Sequence, residues 1–261
     1  MIISATSLVK ESWKIYKDNF LLFLKITIWF LVPIAAWTVV SLMDFKKIIL
    51  VPISIFSSIA YLILWIFLSV ALTIIVDKIL KTENIDFKLI FSLSYSKIIS
   101  YLWVYILKNL VFLSVIAIPA IIGIAISKLI VYIPVYVFLL VSLALITVTL
   151  IIIIAVLLSL SPPSAILNNK GGWSALVESK NIIKNNFWGI TWRWFVNLLF
   201  YSLPLFLIIT AISFIDFIFS KVLSAQYTDL ITQIFYHFFM LPLLVIASVL
   251  LYNSLKKEKR N

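Results

Sequence analysis

Six long apolar runs, near positions 20–43, 48–76, 101–126, 131–160, 194–220 and 233–254, leave this chain few ways to fold. An α-helix rises 1.5 Å per residue, so about 20 apolar residues cross a hydrocarbon layer roughly 30 Å thick. Each run is long enough. A helix also satisfies its own backbone N–H and C=O groups, which an open strand or loop cannot do in lipid. Composition agrees, because only 12% of the 261 residues are charged, against about 25% in a soluble domain. Soluble enzymes, nucleic-acid-binding domains and disordered chains are set aside. The expected fold is an all-α integral membrane protein of six transmembrane helices, forming one membrane domain over 1–261. The second and fourth runs are long enough to tilt or to extend beyond the bilayer.

The basic residues orient the spans. Sixteen of the 21 fall on one side: Lys10, Lys14, Lys17 and Lys25; Lys78, Lys81, Lys88 and Lys97; Lys170, Lys180, Lys184 and Arg193; and Lys256, Lys257, Lys259 and Arg260. The other side holds Lys46, Lys47, Lys128 and Lys221, and Lys108 lies within the third run. The positive-inside rule then places both termini in the cytoplasm; the expected location is the cytoplasmic (plasma) membrane. The first residues, Met-Ile-Ile-Ser-Ala-Thr-Ser, lack a basic region before an apolar core, so no cleaved signal peptide is expected.

An internal repeat underlies the spans. Glu11–Phe20 aligns without gaps on Glu178–Phe187, and six of the ten positions coincide, where chance at ordinary residue frequencies gives about one. Half of the 167-residue offset falls near Tyr95, inside a third segment, Phe87 to Ser100, that also leads into a span. The expectation is three units, about 1–76, 77–160 and 161–254, with a basic tail over 255–261. Each would be an amphipathic cytoplasmic helix followed by a transmembrane hairpin. In the first helix, Ala5, Val9, Trp13, Tyr16 and Phe20 share one face at 100° per residue, and Lys10, Lys14, Lys17 and Asp18 share the other. Such a helix would lie in the headgroup plane. The third, about Trp173 to Asn186, follows a Ser-Pro-Pro-Ser sequence that is expected to stop the fourth span. Its apolar stripe is Trp173, Leu176, Val177, Ile183 and Phe187, interrupted by Lys180 and Lys184. These helices either anchor span ends or form a docking platform for phospholipid head groups or a cytosolic or membrane protein partner. Lys10, Lys14, Lys17, Lys180 and Lys184 are the candidate surface.

Two segments carry a family resemblance: Gly-Gly-Trp-Ser-Ala-Leu-Val-Glu-Ser-Lys-Asn-Ile-Ile-Lys-Asn-Asn-Phe-Trp over 171–188, and Ser-Trp-Lys-Ile-Tyr-Lys-Asp-Asn-Phe over 12–20. In these, and in its layout, the chain resembles a multi-span bacterial membrane domain that occurs alone, as uncharacterised proteins, and fused to some glycerophosphodiester phosphodiesterases. The resemblance implies an inner-membrane helical protein of roughly six spans. It implies no hydrolase activity, because nothing in this chain looks like the soluble metal-binding catalytic module.

Ionisable groups within spans cost about 2.5–3.5 kcal/mol on insertion scales and so mark candidate sites. Lys25 is close enough to its cytoplasmic end to snorkel. Lys108, with Asn109, lies deeper and would need a partner if its span began at Lys97. Asp216 and His237 stand near the outer ends of spans five and six, where a charge-assisted hydrogen bond could form. Ser58 belongs to a stripe with Ser54, Tyr61, Ser69 and Thr73, and Asn197 pairs at i, i+4 with Tyr201; both patterns serve helix contact or line a path. One proline per span (Pro33, Pro52, Pro119, Pro134, Pro204 and Pro242) could kink helices around a cavity, although Pro52 and Pro134 stand near helix starts.

With one histidine, no cysteine and no paired carboxylates in a span, the constellation an enzyme needs is missing; neither a metal nor a cofactor is expected. Nucleic acid is no expected partner, since the positive charge is spread over separate loops. Two readings remain: a lipid- or partner-binding membrane scaffold that works through its basic amphipathic helices, and a permease-like or lipid-handling component with a cavity between kinked helices.

Overall fold

The computed structural model describes residues 2–42, 47–129, 133–219 and 225–258, and their side chains outside 37–51, 129, 212–213 and 215–229. Every regular element among them is a helix: α1 Ala5–Asp18, α2 Phe20–Thr27, α3 Leu31–Leu42, α4 Lys47–Leu80, α5 Phe87–Leu129, α6 Ile133–Leu157, α7 Ser161–Leu167, α8 Trp173–Ile183, α9 Phe187–Phe219, α10 Ala225–Phe235 and α11 Leu241–Glu258. Short 3-10 turns at Ile28–Phe30 and Lys184–Asn186, and a π turn at Tyr236–Met240, join some of these. Five stretches are long and apolar enough to cross a membrane: Pro52–Leu80, Phe87–Lys128, Ile133–Leu167, Trp173–Ala211 and Leu230–Glu258. A sixth arises if Ala5–Asp18 and Phe20–Ala36, bent by 78° at Asn19, count as one span. The side chains of Lys46, Lys47, Asp216, Lys221, Lys259 and Arg260 lie outside the described residues.

The chain gathers into two compact units, Met1–Ile98 with Trp192–Asn261, and Ile99–Thr191. In the first, α1 packs on α11, α11 packs on α4, and Phe91 of α5 stacks on Phe67 of α4 with ring centroids 5.5 Å apart. Ser4 caps α1 by accepting a hydrogen bond from the Ser7 N–H at 3.1 Å. Asn19 ends it. The Asn19 side chain donates to the Ile15 carbonyl at 3.0 Å, while its own carbonyl accepts from Leu22 and Phe23 and so starts α2 in a new direction. One asparagine thus satisfies the end of one helix and the beginning of the next.

The buried face of α1 is Leu8, Val9, Ser12 and Tyr16. This corrects the face expected from the sequence: Trp13 is exposed while the small Ser12 before it is buried, and Phe20, also exposed, stands past the 78° bend as the first residue of α2. The apolar side of α1 is therefore turned into the protein.

Tyr16 also answers a proline. Pro242 has no N–H and cannot donate to the carbonyl of Phe238 four residues before it. The buried Tyr16 hydroxyl donates to that carbonyl at 2.8 Å and so fastens α1 to the start of α11.

In the second unit, the prolines do not stop the fourth span. α6 ends at Leu157, and Pro162 and Pro163 occupy the first turn of α7, where the missing N–H groups would have had no helical partner. Ser179 of α8 holds the corner: its hydroxyl donates to the Leu157 carbonyl at 2.7 Å and accepts from the Leu160 N–H at 3.2 Å. Glu178 beside it accepts from Ser164 at 2.6 Å and from Asn168 at 2.9 Å, with Lys170 Nζ at 3.6 Å. Gly172 enters α8 at φ +57°, and a Cβ on Gly171 would lie 2.8 Å from Ser100 Oγ, which is why two glycines stand here. Val104, Leu158, Ala165, Ala175 and Leu176 form the core of this corner.

The buried face of α8 is Ala175, Leu176, Ser179 and Ile183. Trp173 and Val177, placed on that face from the sequence, are exposed. The four buried positions of α8 follow the four of α1 at the same 167-residue offset. The third segment behaves differently. Phe87 to Ser100 is not a separate helix but the first part of the 43-residue α5, with Ile90 and Ser94 fully buried.

Candidate functional site

A cleft of about 500 Å³ opens in the first unit beside α1. Val9, Lys10 and Trp13 of α1 form one wall; Phe200, Tyr201 and Pro204 of α9 face Phe235, Phe239 and Leu243 around the rest. Aromatic rings stiffen it. Tyr16 stacks on Phe23 at 5.8 Å and touches Phe239 at 6.0 Å, and Phe235 stacks on Phe239 at 5.2 Å. The walls are apolar except at two places: Lys10, which is exposed at the mouth, and a set of buried polar atoms behind Tyr201.

Those atoms are the Tyr201 hydroxyl and the Ser12 hydroxyl that it faces, together with Asn197 Oδ1; beyond the Tyr201–Ser12 pair none of them reaches a partner among the described residues. The Asn197 amide donates to the Arg193 carbonyl at 2.7 Å, and the Arg193 guanidinium donates through Nε to the Ile3 carbonyl at 2.5 Å, which ties the start of α1 to α9. A buried hydroxyl or carbonyl without a partner costs about 1–3 kcal/mol. Asn197 stands one turn before Tyr201 on α9, so these polar groups are neighbours in the fold.

A second polar place lies in the same unit. His237, on the π turn, is buried; its Nε2 lies 2.7 Å from the Tyr61 hydroxyl and its ring stacks on Phe30 at 4.0 Å. Nδ1 is buried without a partner. Beside Tyr61 a cleft of about 360 Å³ is lined by Pro33, Ile34, Ser57, Ser58 and Gln233. The sequence paired His237 with Asp216, whose side chain lies outside the described residues; the partner found here is Tyr61 of α4. Ser58 is exposed in this cleft, whereas Ser69 and Thr73 of the same stripe are buried.

The remaining candidates are dispersed. Lys10, Lys14 and Lys17 are exposed on α1, and Lys180 and Lys184 are exposed at α8 and the turn after it. Lys25 is exposed, with Nζ 6.0 Å from the Phe87 ring centre. Lys108 is half-buried and makes no hydrogen bond or ion pair with the described residues, and Asn109 turns back onto the Tyr105 carbonyl at 2.8 Å. Nineteen residues without charge separate Lys108 from Lys128 on α5, about 29 Å of helix and close to one hydrocarbon thickness. Compared with protein-family models, curated proteins and solved structures, the chain matches none.

Tyr16, Ser179 and Glu178 carry structural duties that sequence reasoning did not assign. Only one signal pointed there: Ser and Glu are among the residues that coincide in the 167-residue repeat.

Proposed function

We propose that the protein is a non-enzymatic scaffold of the cytoplasmic membrane that gathers anionic phospholipid at its cytoplasmic face. One observation carries this reading: α1 and α8 bury their apolar faces in the protein and leave Lys10, Lys14, Lys17, Lys180 and Lys184 exposed. Each lysine near an acidic leaflet contributes about 1 kcal/mol of attraction. In this reading the three amphipathic segments are repeats, both termini are cytoplasmic, and the chain belongs to the family of multi-span bacterial membrane domains that it resembles. The matched burial on α1 and α8, and the asparagine that precedes both Phe20 and Phe187, support the repeat. The apolar stretch between Lys108 and Lys128 supports a bilayer position in which Lys108 reaches the head groups.

The test is reconstitution in nanodiscs of mixed phosphatidylcholine and phosphatidylglycerol, with the lipid bound per chain counted by mass spectrometry. Phosphatidylglycerol is expected to be enriched over the bulk mixture, and to fall to the bulk ratio when all five lysines become glutamine. Unchanged enrichment in that variant would reduce these helices to anchors. A permease-like reading rests on the cleft at Ser57, Ser58 and Gln233 beside the Tyr61–His237 pair. It predicts uptake of a neutral polar solute into proteoliposomes, and its loss in Tyr61→Phe.

A further inference from the structure

We infer that the cleft beside α1 is a site for one anionic diacyl phospholipid, with an acyl chain between α9 and α11 and the phosphate at Lys10. The inference rests on the scaffold reading and goes further, since it assigns a single stoichiometric lipid where that reading needs only diffuse attraction.

The chemistry of the walls selects the ligand. Phe200, Pro204, Phe239 and Leu243 offer hydrocarbon and no charge, and a volume of about 500 Å³ lies within the roughly 300–1,000 Å³ of small-molecule pockets. At the mouth stands a cation, Lys10, with Lys14 one turn further along the same helix and also exposed. No acidic residue lines the cleft among the described residues. The charge therefore fits an anion, and a zwitterionic head group would bring a cation next to Lys10.

Beside the hydrocarbon walls lies the Tyr201–Ser12 hydroxyl pair. Tyr201 lines the cleft and is 97% buried; its hydroxyl faces the fully buried Ser12 Oγ, and since one of the two hydroxyls can donate to the other, one proton is left without an acceptor among the described residues. A phospholipid presents ester carbonyls at that level, between its phosphate and its chains, and a hydroxyl donor satisfies such a carbonyl. A free fatty acid or a detergent offers no pair of esters beside a phosphate. Trp13, half-exposed on the rim, is an aromatic residue of the kind that sits at headgroup level.

Native mass spectrometry of the full chain, released from phosphatidylcholine–phosphatidylglycerol nanodiscs, tests the site. The expected result is one phosphatidylglycerol per chain that survives activation sufficient to strip the others. Lys10→Gln removes a charge-assisted contact and should lower its retention about tenfold or more. Tyr201→Phe should lower it less and leave the fold intact, because the hydroxyl it removes faces only that of Ser12 in the protein. Leu243→Trp fills the cleft and should abolish retention; should that variant fail to fold, the other two still decide. The combined Lys14, Lys17, Lys180 and Lys184 to Gln variant should lose general phosphatidylglycerol enrichment and keep the single retained lipid. Equal retention of phosphatidylcholine, or retention unaffected by both Lys10→Gln and Tyr201→Phe, overturns the site and leaves the scaffold reading standing. Loss of enrichment together with survival of the one lipid is the result that separates the two.

Discussion

Replacing Tyr16 by Phe removes one oxygen and keeps a ring that stacks on Phe23 at 5.8 Å, so its effect isolates the hydrogen bond to the Phe238 carbonyl. Tyr16 is 3% exposed, and a buried carbonyl deprived of its donor costs about 1–3 kcal/mol. For a chain of this size each kcal/mol lowers a melting midpoint by about 2–4 °C. The reason for the bond makes a sharper prediction than its strength. Phe238 needs Tyr16 because residue 242 is proline, so Pro242→Ala, which restores an N–H four residues on, should make Tyr16 dispensable. In that background Tyr16→Phe should cost a few tenths of a kcal/mol, a coupling of about 0.5–3 kcal/mol. Unfolding of the four proteins in mixed micelles with rising dodecyl sulfate, followed by tryptophan fluorescence, measures both costs. If Tyr16→Phe costs the same in the two backgrounds, the proline account of this contact is wrong, even if the tyrosine itself proves stabilising.

Two further outcomes follow from the same geometry. Ser179→Ala strands the Leu157 carbonyl and the Leu160 N–H and should destabilise by about 2–4 kcal/mol, whereas Ser12→Ala, at the equivalent position of α1, removes a hydroxyl that faces only that of Tyr201 and should cost about 1 kcal/mol or less; equal costs by micellar unfolding would sink the distinction. At the α4–α5 corner, the hydrogen bond from Lys78 at 3.0 Å holds the Glu83 carboxyl below its ordinary 4.5. Its contribution is present above pH 4.5 and is lost as pH falls through the lower folded value. Carboxyl-carbon NMR should place the Glu83 midpoint below 4.5 and return it towards that value in Lys78→Gln, and an unmoved midpoint would remove Lys78 as the cause.

What could be read from the sequence divides along a physical line. The apolar runs announce helices because backbone satisfaction in lipid depends on local composition alone. The start of the first apolar run near Phe20 was legible too, as the point where a charged segment meets an apolar one. Phe87 to Ser100 contains no Asn, Gly or Pro to end a helix, so the segment continues as one rod into α5. The faces were harder. A helical wheel ranks Trp13 above Ser12, yet the packed face of α1 takes the smaller residue and leaves the tryptophan to the rim, and the bend at Asn19 carries Phe20 off that face altogether. Contacts closed by the fold were out of reach: Tyr61 meets His237 across 176 positions and Tyr16 meets Phe238 across 222. No periodicity encodes such pairs. One of them nonetheless has a rule that a sequence could apply. A proline inside an apolar helix frees a carbonyl one turn earlier, and some donor elsewhere in the chain must reach it. For Pro242 that donor is Tyr16, on a helix far away in sequence whose lysines face outward. The bond that satisfies the span therefore also fixes α1 in place, and with α1 it sets Lys10 and Trp13 over the cleft.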